Sequence, residues 1–591
     1  MPAASSHACI LPFQRDCLLV PPNQTIFRLL TRLWGHITPK RRRQFGLVLL
    51  LMVAASFAEI ISIGAVLPFL AILTAPIRIF EHPFAQPFIT MLGITTPEQL
   101  LLPLTIIFSA AVLLAGATRI LLLWASTHLS YATGADLSIS IYRRTLYQPY
   151  MVHVARNSSE IISGITNKTS NVINTLMMVL NLIGSSVILA AIMIALVSID
   201  HVMALVTVSG FGLIYALIIR FTRNKLVQSS QLIATKHTQV IKALQEGLGG
   251  IRDVLVDGSQ PTYCKIYRSA DLPLREAQSV NVFMSSCPRY GMEALGMLFI
   301  AILAYMLAQQ EDGLSKAIPI LGTLALGAQR LLPVLQQGYS AWSSILGGHT
   351  SLEDTLDLLD QPLPWYLDQQ PTNALSFQYQ IVLNRVSFRY SPHSPLVLDD
   401  FSLTIPKGSR VGFIGKTGSG KSTLLDIIMG LLKPTIGTLE VDGQPITDHN
   451  LPSWQANIAH VPQAIFLADS TIEENIAFGI PAEKIDHERV RHAAEQAQIA
   501  DIIETWPKQY QTIIGERGIR LSGGQRQRIG IARALYKQAN VIIFDEATSA
   551  LDHETEQSVM HSIESLNETL TILIIAHRLT TLKSCKQIVE L

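Results

Sequence analysis

Three short stretches of this chain combine residue types that handle phosphate. "GKTGSGKST" (Gly415–Thr423) lies between the apolar run "RVGFI" and the helix-like "LLDIIMGLL". It fits the phosphate loop G-x-x-x-x-G-K-[ST] in the strand–loop–helix setting that the motif requires. Gly415, Gly418 and Gly420 let the backbone N–H groups from Lys416, Thr417 and Ser419 through Thr423 turn onto phosphate oxygens. The start of the following helix adds partial positive charge. Lys421 neutralises phosphate oxygens, and the Ser422 hydroxyl is placed to reach a magnesium ion. "VIIFDEA" (Val541–Ala547) ends an apolar strand with two carboxylates. Asp545 suits the hydrated magnesium, and Glu546 suits a general base for the attacking water. "LSGGQRQR" (Leu521–Arg528) sets Ser522, Gly523, Gly524 and Gln525 at a helix start, a second anion site. One nucleotide does not need two such sites. The second is expected to close over a nucleotide held by another copy.

The elements that hold these residues read as α/β. From about Tyr379, short β-branched runs alternate with turns and helices: "IVLNRVSFRY", "FSLTIPKGSRVGFIG", "TLEVDG", "NIAHVPQ", "VIIFDEA", "TLTILIIAH". A mixed or parallel sheet is predicted. Upstream the texture is different. The chain of 591 residues has a mean hydropathy of +0.33 and 15% charged residues, below the roughly 25% of soluble proteins. An apolar half followed by a soluble half accounts for both numbers. The net charge of +1 gives no bulk attraction to nucleic acid, and no nucleic-acid partner is expected. The five cysteines are scattered, with no close pair at metal spacing, and read as free thiols. The first residues lack a basic start followed by an apolar core, so no cleavable signal is expected.

Six apolar runs are long enough to span a bilayer: Phe45–Leu73 and approximately Leu101–Ser126, Val172–Val197, Val202–Ile219, Val282–Ala308 and Ala317–Ile345. Arg220 to Arg275 and the segment holding Arg143, Arg144, Arg156 and Lys168 are basic, whereas the opposite loops hold only Arg78 and Lys316. The basic loops are therefore assigned to the cytoplasm, with everything after Ile345. The predicted organisation is a cytoplasmic N-terminal segment and elbow (1–44), a membrane domain of six helices (45–345), a Pro- and Gln-rich linker (346–378) and a soluble α/β domain (379–591). "IRIFEHPFAQPF" reads either as a short outer surface helix or as an ordinary loop. "EGLGGIRDVLVDG" (Glu246–Gly258) reads either as a docking turn or as a hairpin bend.

The soluble half resembles the nucleotide-binding cassette of ABC transporters, with every motif in order. Gln463 in "HVPQ", Tyr390, "SALD" (Ser549–Asp552) and His577 in "IIAHRLTT" are similar to that family's lobe-bridging glutamine, adenine-stacking aromatic, dimer-contact loop and switch histidine. Six spans fused to one cassette resemble the exporter type. The fold class implied is a membrane α-helical bundle followed by an α/β P-loop NTPase cassette. The resemblance implies an ATPase that uses ATP and Mg2+. Catalysis would fall to Glu546, His577, Lys421 and Gln463, and the metal to Ser422, Gln463 and Asp545. It also implies a homodimer with two sandwiched ATP molecules.

Charges also lie inside the spans: Glu59, Arg119, Arg289, Glu293 and Arg330. Such residues usually serve transport or pair internally. Internal pairing would join Arg289 to Glu293, or Arg119 to Glu59. The surplus of arginine suits an anionic head group. "SFAEIISIGAVLPFLAIL", "SSEIISGIT", "PRYGMEALG" and "QRLLPVLQQGYSAW" are similar to segments of bacterial flippases for lipid-linked oligosaccharides. That likeness implies an inner-membrane protein moving a polyprenyl-pyrophosphate glycan outward, with Arg119, Arg289 and Arg330 on the pyrophosphate. The alternatives are a multidrug or lipid A-type exporter, and an ATP-driven regulator or channel without net transport.

Overall fold

The computed structural model describes residues 25–74, 80, 96–199, 201–308, 331–364, 374–546, 556–557, 561, 570–575 and 585–591. Arg330, His577, the "SALD" loop and nearly all of "IRIFEHPFAQPF" lie outside the described residues. The chain forms two compact units, with the main break between Leu363 and Pro364.

The first unit is helical. α1 (Ile26–His36) is amphipathic and buries Leu29 and Leu33. The long helices are α2 (Pro39–Thr74), α3 (Leu101–Leu146), α4 (Thr169–Ile199), α5 (His201–Gly249) and α6 (Gln260–Ala308). A helical stretch over 331–347 leads into α7 (His349–Leu359). Among the described residues, three helices are long and apolar enough to cross a membrane: Pro39–Ser62, Leu101–Leu146 and Ser158–Ile194. The full set of six spans remains a sequence-based expectation. At 49 residues each, α5 and α6 are about 70 Å long, more than twice the roughly 30 Å hydrocarbon core. Much of each helix therefore extends beyond the bilayer.

Small residues set how closely these helices approach. A Cβ on Gly134 of α3 would lie 2.0 Å from Ile173 Cγ1 of α4. Away from the apolar bands, ion pairs between sequence-distant residues take over. Arg41 pairs with Asp136 at 2.9 Å, Lys168 with Asp354 at 2.6 Å, and Arg32 with Asp357 at 3.1 Å. Glu246–Gly258 resolves into the end of α5, a turn at Gly250 and a short helix, Ile251–Val256. That helix exposes Leu255 and Val256.

The second unit contains two sheets rather than the single sheet predicted. β1 (Gln380–Phe388), β2 (Leu398–Pro406), β4 (Ile436–Val441) and β5 (Gln444–Pro445) form an antiparallel sheet in the order β2-β1-β4-β5. β3 (Arg410–Ile414), β6 (Ile458–Val461), β7 (Val541–Asp545), β8 (Thr571–Ile575) and β9 (Gln587–Glu590) form a parallel sheet in the order β6-β7-β8-β3-β9. The residues explain the division. β2 intersperses exposed residues among buried ones, as expected for strands with one wet face. β7 and β8 are almost wholly buried, as parallel strands covered on both faces must be. α8 (Lys421–Ile428) covers one core, where the indole of Trp454 donates to the Ile428 carbonyl at 2.8 Å. α9 (Gly523–Tyr536) covers the other.

Candidate nucleotide site and membrane charges

β3 delivers the chain into the loop 415–420, and α8 begins at Lys421. The glycines here are required by the backbone. Gly415 has φ +148°, and a Cβ on it would lie 2.5 Å from the Leu591 carbonyl oxygen. Gly420 caps α8 at φ +97°, where a Cβ would lie 3.1 Å from the Val397 carbonyl oxygen. Lys416, Thr417 and Gly418 form the exposed crest. The buried side chain of Lys421 folds back under the loop. Its Nζ donates to the carbonyls of Gly415 at 2.8 Å and Lys416 at 3.0 Å. Ser419 Oγ is buried without a hydrogen-bond partner among the described residues, a polar atom that phosphate would satisfy.

The acidic end of β7 meets this loop. The Ser422 hydroxyl lies beside the Asp545 carboxylate. Burial and the neighbouring Glu546 push the Asp545 carboxyl up, while Ser422 and Lys421 oppose the rise. Glu546 sits at φ +50°, a left-handed conformation that is strained for a non-glycine residue. Its Oε2 accepts from Gln463 Nε2 at 2.7 Å. Thus Lys421, Ser422, Asp545, Glu546 and Gln463 converge. Tyr390 stands edge-on to Phe388 with ring centroids 5.0 Å apart, and its hydroxyl lies 2.9 Å from Thr423 Oγ1. Tyr390 as a whole is 43% exposed, which leaves it accessible for stacking.

Ser522 caps α9. Its Oγ accepts from the Gln525 N–H at 3.2 Å, and Gln525 Oε1 accepts from the Ser522 N–H at 2.9 Å. Gly523 and Gly524 open the helix. Among the described residues, no hydrogen bond joins the two candidate anion sites, Ser522–Gln525 and Gly415–Thr423.

Sequence reasoning missed Asp426. Burial, and then Asp545, push this carboxyl up to about 6. An acid inside the apolar "LLDIIMGLL" was the available signal.

In the membrane unit, both pairs considered from sequence form. Arg119 Nη2 of α3 lies 2.8 Å from Glu59 Oε1 of α2. Arg289 Nε lies 3.0 Å from Glu293 Oε1, one turn further along α6. Glu59 is buried, whereas Arg289 and Glu293 are exposed.

Known proteins share both units. A family model described as "ABC transporter transmembrane region" matches residues 47–312, and one described as "ABC transporter" matches residues 398–549. The chain is 31% identical over 467 residues to the ATP-dependent lipid A-core flippase of Saccharophagus degradans, covering 77% of this chain and 76% of that one. It is 29% identical over 461 residues to the ATP-dependent lipid A-core flippase of Cupriavidus metallidurans, covering 77% and 76%. A solved structure, "Structure of a bacterial Atm1-family ABC exporter with ATP bound", shares the fold. The TM-score is 0.74 at 23% identity, over 95% of this chain and 93% of that one. The chain therefore belongs to the ABC transporters, as an ATP-driven exporter that carries its transmembrane region and its ATP-hydrolysing cassette in one polypeptide.

Proposed function

We propose that this exporter is a lipid flippase that moves an anionic lipid of the lipid A class from the inner to the outer leaflet of a bacterial inner membrane. The observation that carries this reading is its likeness, along three quarters of the chain, to proteins named lipid A-core flippases. They support a lipid A-type substrate better than the lipid-linked oligosaccharide that the membrane segments first suggested. The pairing of Arg119 and Arg289 also weakens the argument from surplus cavity charge. A role for Arg119, Arg289 and Arg330 in holding lipid phosphates belongs to this proposal.

The working unit is proposed to be a homodimer. In it, the Gly415–Thr423 loop of one chain and Ser522–Gln525 of the other enclose each ATP. Two separate anion sites in one cassette support this arrangement. Tyr390 stacks on the base, Lys421 and the loop amides hold the phosphates, and Glu546 takes a proton from the attacking water. Gln463 orients Glu546 through its amide hydrogen bond, and His577 is assigned to the γ-phosphate. The hydroxyl of Ser422 and the carboxylate of Asp545 are neighbouring hard oxygen donors, which fits Mg2+. Gln463 is assigned beside them. The ion would neutralise charge on the β- and γ-phosphates.

The test is ATP-dependent flipping in proteoliposomes, with lipid A and a polyprenyl-pyrophosphate oligosaccharide as parallel substrates and the Glu546→Gln protein as control. Flipping of lipid A alone supports the proposal, and flipping of the oligosaccharide alone restores the earlier reading. Robust ATPase with neither flipped favours a different cargo or a regulator.

A further inference from the structure

α6 carries a proline in its interior. Pro288 is buried and has no N–H. The Met284 carbonyl, four residues back, therefore lacks its helical donor. In apolar surroundings such a carbonyl must be satisfied by another group. The donor comes from a different helix. The hydroxyl of Tyr339, in the helical stretch 331–347, donates to the Met284 carbonyl at 3.0 Å. One turn earlier, Gln336 Nε2 donates to the Ser285 carbonyl at 3.1 Å, and Gln336 Oε1 accepts from the Tyr215 hydroxyl of α5 at 3.3 Å. Ser285 of α6 does not serve Met284, because its Oγ donates to the Val282 carbonyl at 2.9 Å. Pro273, earlier in α6, differs: its released carbonyl belongs to the exposed Ser269, where water is a sufficient donor.

The Tyr339 hydroxyl has a second acceptor. Thr222 Oγ1 of α5 lies 3.3 Å away, and the hydrogen of Thr222 itself goes to the Ile218 carbonyl at 2.8 Å. One hydrogen thus faces two acceptors, one on each neighbouring helix. The ring that carries it is held in place. Tyr339 is 4% exposed, and its ring centroid lies 5.7 Å from that of Tyr215 and 5.8 Å from that of Trp342. The hydroxyl can change acceptors by rotating about its C–O bond while the ring stays still. Thr222, Met284 and Pro288 also line a cleft of about 230 Å3 between α5 and α6. The break in the α6 ladder therefore lies where the helix has room to change its bend.

We infer that Pro288 is a hinge in α6 and that Tyr339 is its two-position latch, which holds α6 through the Met284 carbonyl and passes its hydrogen to Thr222 of α5 when the hinge moves. Leaving Met284 without a donor is costly, so the latch stays closed for most of the time. Thr222 lowers the cost of opening because it keeps the buried tyrosine satisfied. The bend of α6 is thereby tied to the position of the stretch 331–347, the helix that leads into α7. Arg289 and Glu293 both lie beyond the hinge and move with it as a pair. The device does not depend on the cargo proposed above.

The test is amide hydrogen exchange of the full chain in detergent, read by mass spectrometry on the α6 segment 284–293. Exchange there follows the population of the opened hinge. Tyr339→Phe keeps the ring but removes the hydrogen, and should speed exchange about five-fold, the effect of losing one ordinary hydrogen bond. Thr222→Val keeps the shape but removes the second acceptor, and should slow exchange by about the same factor. The double variant should match Tyr339→Phe alone, since without the hydrogen the acceptor is irrelevant. Opposite shifts in the two single variants support the latch, because mere loss of packing would speed exchange in both. Shifts in the same direction, or unchanged exchange in Thr222→Val, would overturn it. Thr222→Val preserves side-chain volume, so misfolding of Tyr339→Phe would leave that readout intact.

Discussion

Arg119 Nη2 and Glu59 Oε1 meet 2.8 Å apart, tying α3 to α2 inside the membrane unit. The two partners are unequal. The Glu59 side chain is 6% exposed and that of Arg119 is 53% exposed. Removing the arginine takes a close cationic partner from a buried carboxylate, while removing the glutamate leaves a cation that can still reach solvent or head groups. Arg119→Leu is therefore expected to cost about 3 kcal/mol and Glu59→Leu about 1 kcal/mol. Thermal melting in detergent checks the order. Equal losses would show that the pair is not the reason for the burial of Glu59.

Arg289 separates a structural role from a transport role. It is exposed and paired only one turn along its own helix, and exposed pairs contribute little to folding. Arg289→Ala should leave the melting temperature unchanged. If the guanidinium touches an anionic cargo, flipping should fall roughly ten-fold while basal ATPase stays within about two-fold. Parallel loss of both rates would assign the arginine to structure.

Glu546 holds a strained backbone and accepts the Gln463 amide. Glu546→Gln keeps the size and the loop but removes the proposed base. Hydrolysis should drop by about 100-fold or more, with nucleotide affinity retained. Filter binding beside phosphate release checks both halves.

Asp426 sets a pH dependence. Its ordinary value is 3.8, and burial with Asp545 raises it to about 6. Between these values the folded chain keeps a proton that the unfolded chain has lost. Stability therefore falls as pH rises through this window, and the full penalty applies above it. Asp426→Asn removes the penalty. It should stabilise the protein by about 1 kcal/mol above pH about 7, allowing for screening at a half-buried site, and by nothing near pH 4. Melting curves at both pH values test the sign.

The geometry of the candidate nucleotide site was legible because it is local. Gly415, Gly420, Lys421 and Ser422 lie within nine residues, and the positive φ angles demand glycine where the motif has it. Asp545 and Glu546 are placed by a strand whose apolar run is plain in the sequence. The division into two sheets was not legible, because β1 and β3 look alike as β-branched runs and only the burial of both faces distinguishes them. Long-range ion pairs were mostly hidden too. Arg32 and Asp357, or Lys168 and Asp354, carry no local pattern that points from one to the other. Glu59 and Arg119 were guessable only because charges are rare inside apolar runs. Asp426 was overlooked because its neighbours spell a good helix, and its partner lies on a different strand.

The cap on α9 has a further consequence. Ser522 Oγ already accepts the Gln525 N–H, so one lone pair is engaged while the hydroxyl hydrogen stays available to donate. The Ser522 backbone N–H is occupied by Gln525 Oε1. In the proposed sandwich, the serine would have that one hydrogen to offer the facing nucleotide, and it would find an acceptor only if the nucleotide reaches far enough. A diphosphate, one phosphoryl group shorter, would leave that proton facing water. In the proposed sandwich the helix cap would then act as a gauge of phosphate-chain length, and the two cassettes would hold together while the third phosphate remains and part once it has gone.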